Sequence, residues 1–332
     1  MRLLAWLGGA LVLGVGAALL WFHTMPPTPI AARWGPEDCR RIGPEIVGAE
    51  DMAVLADGTL VASAYGRLAG PDESGRPPDG NLWAVSEDGL TPLVEPATLS
   101  GGFRPHGIAA TPWGLAVINR GFVETADGWQ PQTSIDLLDA SARPIRRIET
   151  HTVDSYCAAN DLAASEGALL VTLDRAGCEA GTLGRFRAGD GRVLTHPLPT
   201  APPEIVAEGL AFANGIVVQD GTWWVAETRA NRISGPEGSI ALPGGPDNLT
   251  VDGAGIVAAL HPSILRLALN RYGLAPRAPS RVVRIEGGAV EGLFDDPTGE
   301  VFSAATVGQM HAGRLYIGSV TDRGILVCGD GV

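Results

Sequence analysis

The chain has 332 residues, a formal net charge of −13 and 24 basic side chains, every one of them Arg. So acidic a chain lacks the basic face that nucleic acid requires. The absence of Lys removes Schiff-base chemistry, and four Cys allow only three disulfide connectivities.

Arg2 is followed by 20 uncharged and mostly apolar residues, Leu3 to Phe22. That run exceeds a secretory apolar region of about 7–15 residues, so residues 1–24 are expected to be an uncleaved transmembrane anchor, with a removed signal segment as the alternative. With Arg2 inside, the rest faces the periplasmic or extracellular side, or is secreted if the segment is cleaved. Residues 25–38 open with Met25-Pro-Pro-Thr-Pro and read as a stiff spacer. Residues 39–332 read as one folded domain.

From Glu50 onward one unit recurs: a small or polar pair, an apolar run, a Gly six to eight residues on, and a second apolar run. Its clearest copy is Phe212 to Glu227, where an Asp-Gly pair joins two apolar, β-branched and aromatic runs as a hairpin. The first positions of the pairs are Glu50, His106, Asn160, Asn214, Asp247 and Ala305; the second are Asp51, Gly107, Asp161, Gly215, Asn248 and Thr306. The first positions are spaced by 56, 54, 54, 33 and 58 residues, which averages to one four-stranded blade. The expected fold is therefore all-β, a six-bladed β-propeller behind the N-terminal anchor.

Between the copies, residues 66–80 are too rich in Gly and Pro to form a strand and are expected to be a long loop. Residues 263–272 carry a dense apolar face that suits either a short helix over one end or a hairpin connection. Arg143, Arg146 and Arg147 read as a solvated strand edge. A propeller must fasten its first strand to its last blade, and Cys39 and Cys328 lie at those two ends, so their disulfide is the natural closure. Cys157 and Cys178 would form the other pair or stay buried thiols.

Inner strands of a propeller line its channel, so the first positions should converge. Two carboxylates and three carboxamides in a buried channel would be costly unless a cation satisfied them. Glu50, Asn160, Asn214, Asp247 and Asn248 are oxygen ligands suited to Ca²⁺, and Asp51 and Asp161 with the Ile108 carbonyl could hold a second ion deeper in the channel. His106 is the only histidine at a channel position and the candidate general base; His261 could also reach the pocket. The sequence has no G-x-S-x-G elbow, and no H-E-x-x-H or C-x-x-C spacing for zinc.

These residues resemble the paraoxonase/arylesterase family of calcium-dependent lactonases. The motifs are Gly-Ala-Glu-Asp-Met at 48–52, Pro-His-Gly-Ile at 105–108, Asn-Asp at 160–161, Phe-Ala-Asn-Gly-Ile at 212–216, Asp-Asn at 247–248 and His-Pro at 261–262. The resemblance implies a six-bladed propeller with two channel calcium ions and an uncleaved apolar amino terminus. It implies a catalytic Ca²⁺ on Glu50, Asn160, Asn214, Asp247 and Asn248, a structural Ca²⁺ at Asp51, Ile108 and Asp161, and His106 as the base. The sequence departs from the pattern at Arg120, which stands where the family has a second histidine and cannot accept a proton. It also lacks the long amphipathic segment after the third blade's strands. The expected function is hydrolysis of small-molecule lactones or aryl esters by a membrane-tethered enzyme. The alternatives are a sugar-lactone hydrolase of the gluconolactonase-like group and a non-catalytic, calcium-stiffened binding module.

Overall fold

A computed structural model describes residues 14, 25–95, 99, 101–178, 189–197 and 201–329. Six four-stranded antiparallel sheets make up the molecule. Blade I is β2 (Ala49–Val54), β3 (Leu60–Ala64), β4 (Asn81–Ser86) and β5 (Gly89–Pro92). Blade II is β6 (Pro105–Thr111), β7 (Gly114–Thr125), β8 (Gly128–Asp139) and β9 (Arg146–His151). Blade III is β10 (Ala159–Ser165), β11 (Ala168–Leu173), β12 (Gly191–His196) and β13 (Glu204–Leu210). Blade IV is β14 (Ala213–Gln219), β15 (Thr222–Glu227), β16 (Arg232–Gly235) and β17 (Gly238–Ala241). Blade V is β18 (Gly245–Asp252), β19 (Gly255–His261), β20 (Ser280–Glu286) and β21 (Ala289–Asp296). Blade VI is β22 (Ala305–His311), β23 (Arg314–Ser319), β24 (Arg323–Cys328) and, as its outer strand, β1 (Cys39–Val47).

The expected propeller is thus what the chain forms. The central hairpin turns at Asp220 and Gly221, both at positive φ (51° and 76°), the conformation that a two-residue turn between right-twisted strands needs. The 33-residue spacing of blade IV reflects its outer strands, only four residues each. Closure is made by β1 pairing with β24, and Cys39 stands directly opposite Cys328 in that ladder and is bonded to it. Cys157 and Cys178 are also bonded, so neither is a free thiol. Residues 66–80 contain no strand, as expected. Residues Ile264–Arg271 form helix α1, with Ser263 as its cap, and its buried Leu267 packs on Ala278, Ala304 and Val320. Arg146 is exposed on the alternating outer strand β9, but Arg147 turns back to Asp136 at 2.6 Å, so the basic cluster is only partly a solvated edge.

Apolar side chains are buried between neighbouring blades. Ile118 and Ile135 of blade II meet Leu162, Leu169 and Val171 of blade III, and Val257 and Val282 of blade V meet Ile317 and Leu326 of blade VI. Each such aliphatic side chain contributes roughly 1.5–3 kcal/mol on full burial. Trp223 and Trp224, adjacent in β15, face opposite ways, Trp223 into the seam with blade III and Trp224 into the seam with blade V.

Among the described residues no helix is long and apolar enough to cross a membrane. The anchor expected at residues 1–24 lies outside them, apart from Gly14.

Candidate functional site

The ladder between the first two strands of every blade slips at one place. The shift falls between Ala49 and Asp51, Pro105 and Ile108, Ala159 and Leu162, Ala213 and Ile216, Pro246 and Leu249, and Ala305 and Val307. Such bulges re-aim side chains that would otherwise alternate across the sheet. The skipped residues are Glu50, His106, Asn160, Asn214, Asp247 and Thr306 with the neighbours of the middle four. This corrects the sixth copy by one residue: Thr306 rather than Ala305 is the counterpart of Glu50. Gly107 and Gly215 follow from the same geometry. A Cβ at either would stand 2.6–2.7 Å from backbone atoms of the next blade's bulge, at Asn160–Asp161 and Asp247–Asn248 respectively.

The predicted residues are brought together and buried, and they are bonded to one another. His106 Nε2 lies 3.1 Å from Asn160 Oδ1, and Asn248 Nδ2 donates to the Glu50 carbonyl at 2.7 Å. Asp247 receives His261 Nε2 at 2.7 Å, Thr306 Oγ1 at 2.8 Å and the Asn214 amide. Asn214 also donates to Thr228 Oγ1, while its own Oδ1 is buried with no hydrogen-bond partner. Burial works against an ionised Asp247, yet its carboxyl lies below the usual range because His261 and Thr306 hold the anion.

Arg67, from the loop after β3, lies in the Gly- and Pro-rich stretch where no repeat marks a site residue. Its Nη2 is 2.5 Å from Glu50 Oε2, an ion contact not aligned as a hydrogen bond, and 2.8 Å from His106 Nδ1. An arginine only donates, so Nδ1 of His106 accepts and its proton sits on Nε2, pointing to Asn160. Burial first, then the charges of Arg120 and Arg67, hold His106 well below its ordinary range, so it is neutral. Arg120 donates to the Ala159 carbonyl at 2.8 Å. Arg67 and Arg104 share the Tyr65 ring, at 5.2 and 4.7 Å, and Arg271 at the end of α1 feels both Glu50 and Asp247. A protein of charge −13 thus gathers four arginines at the mouth of its channel.

Asp51 and Asp161 tie adjacent blades. Asp51 Oδ2 accepts the Ile108 N–H at 2.7 Å and Oδ1 the Met52 N–H at 2.8 Å; Asp161 Oδ2 accepts the Ile216 N–H at 2.8 Å and Oδ1 the Leu162 N–H at 2.7 Å. Ile108 thus meets Asp51 through its amide. Burial, with Asp161 beside it, raises Asp51 well above the carboxylate range, and burial pushes Asp161 up to about 7. A carboxyl that ionises near 3.8 unfolded and near 7 folded stabilises the fold below pH 4 and loses that contribution as pH rises through 7, on the order of a few kcal/mol in all. Denaturant midpoints should therefore fall between pH 5 and pH 8, and Asp161→Asn should flatten the slope. Stability that stays level over this interval would show instead that both carboxylates are ionised in the fold, against a bound cation.

The donor set fits the expected catalytic calcium poorly. Of its five residues, Glu50 is paired with Arg67, Asn160 Oδ1 with His106, and Asp247 with His261 and Thr306; Asn248 is held through its Nδ2 rather than its oxygen, and Asn214 Oδ1 has no hydrogen-bond partner.

No protein-family model and no curated protein matches the chain. Solved structures do. The PQQ-bound aldose sugar dehydrogenase of Streptomyces coelicolor is 13% identical, with a TM-score of 0.50, over 87% of this chain and 97% of that one. A structure named as glucose dehydrogenase is 14% identical, with a TM-score of 0.51, over 88% and 99%. At such identities the likeness establishes the propeller fold alone. The expectation of a carboxylic ester hydrolase of the lactonase or arylesterase type is overturned. These neighbours are named as sugar dehydrogenases, not esterases.

Proposed function

We propose that the protein is an oxidoreductase acting on a sugar-type alcohol at the arginine-rimmed mouth of the channel. The observation that supports this reading is the neutral His106 acceptor beneath Arg67, Arg104 and Arg120. Alcohol oxidation needs a base for the hydroxyl proton and an acceptor for the hydride. His106 Nδ1 carries the lone pair that faces Arg67, and a substrate hydroxyl would take the place of Arg67 Nη2 against it.

The Streptomyces coelicolor neighbour is PQQ-bound, and an anionic quinone of that kind, when bound, would supply the two-electron acceptor. The arginines suit such an anion: the Nε atoms of Arg67 and Arg104 are buried without a hydrogen-bond partner. In this role Arg104 and Arg120 bind carboxylates, while Glu50 and Asn160 orient His106. The two disulfides point to an oxidising, extracytoplasmic compartment.

The test is a dye-linked assay over a panel of aldoses with and without added quinone. Quinone-dependent dye reduction is expected, and His106→Gln should lower it by about 10²–10⁴-fold. No reduction with any sugar would overturn the reading. Engagement of both His106 nitrogens favours a second reading, a binding module without turnover; sugar binding by calorimetry in the absence of dye reduction would select it.

A further inference from the structure

We infer that Arg67 is the resident cation of the channel, supplying at Glu50 and His106 the positive charge that the residue pattern assigns to a divalent ion. The channel's buried carboxylates need a cation, because an unpaired buried charge is among the costliest features a fold can carry. Arg67 answers that need from within the chain: its side chain is 12% exposed and that of Glu50 4%. It is also held in place. Tyr65, two residues earlier, lies under its guanidinium and is fixed by its N–H on the Gly48 carbonyl.

A calcium ion takes six to eight oxygens. To collect Glu50, Asn160, Asn214, Asp247 and Asn248 it would have to displace Arg67 from Glu50, turn Asn160 away from His106 Nε2, and compete with His261 and Thr306 for Asp247. Two further charges would enter a region where Arg104 and Arg271 are each already repelled by Arg67 and Arg120. A guanidinium and a divalent ion are therefore alternatives at this position. The chain has chosen the guanidinium and placed it on a loop that no repeat constrains. This inference is independent of the redox reading, since it concerns what balances the charge of the chain's own side chains.

The test uses the full chain equilibrated with calcium and then freed of unbound ion, with metal content and thermal melting as readouts. Arg67→Met should bind one more calcium per chain than the wild type, melt at a lower temperature without calcium, and regain stability when it is added. Equal calcium content in the two proteins, with equal melting temperatures, would overturn the inference, and comparing them cancels any ion held deeper at Asp51 and Asp161. Should Arg67→Met not fold, the Glu50→Gln/Arg67→Met pair decides. Recovery of folding on removing both charges supports the pairing, whereas a double variant no more stable than the single one shows that Glu50 is not the charge that Arg67 answers.

Discussion

Replacing Cys39 and Cys328 together by Ser should cost the fold more than any other change considered for this protein. The bond closes a loop of 289 residues. In the chain-entropy account, opening so long a loop releases about 5–6 kcal/mol to the denatured state. The two cysteines are directly opposed in a ladder that also pairs Arg40 with Val327, Arg41 with Leu326 and Ile42 with Ile325. Those pairings persist in the variant, so the propeller should still close, with a lower denaturant midpoint and a steeper slope, because the denatured chain without the cross-link exposes more surface. A double-serine variant as stable as the parent would mean that the β1–β24 ladder alone fastens the ring.

The second large effect is expected at Arg281, whose side chain is 3% exposed. It donates to Asp295 at 2.7 Å, to the Pro243 carbonyl at 2.8 Å and to the Thr28 carbonyl at 2.9 Å, joining blade V to the segment that precedes β1. The same Asp295 accepts the Ile30 N–H at 3.0 Å, and the segment continues as a short parallel bridge from Trp34 to Phe294. Arg281→Met removes the cation and leaves Asp295 buried without its charge partner, which typically costs about 3–5 kcal/mol. Adding Asp295→Asn should return part of it, because the orphaned charge rather than the lost contact dominates. Urea denaturation of the two variants measures both steps; an Arg281→Met protein within error of the wild type would place the segment's attachment elsewhere.

The blades were legible because their signals are local and periodic. An Asp-Gly turn between two β-branched runs forces a hairpin wherever it occurs, and five first positions read from sequence, Glu50, His106, Asn160, Asn214 and Asp247, do meet in the channel. The closure was legible too, since a ring needs its ends joined and only Cys39 and Cys328 lie at both. Tertiary structure decided the rest. The bulge in each inner strand moves Thr306, not Ala305, to the channel, a one-residue offset that no hydrophobic pattern records. Arg67 lies in a loop of Gly and Pro, where there is no period to read, and it reaches Glu50 and His106 only because the first blade brings that loop over the channel mouth. Its arrival fixes the proton of His106 on Nε2 and commits Glu50, so residues whose types suit a metal-assisted hydrolase are held by an internal charge instead. Residue type could say that the buried carboxylates need a cation; only the folded chain decides which cation stands beside them, because that depends on distances between segments far apart in sequence.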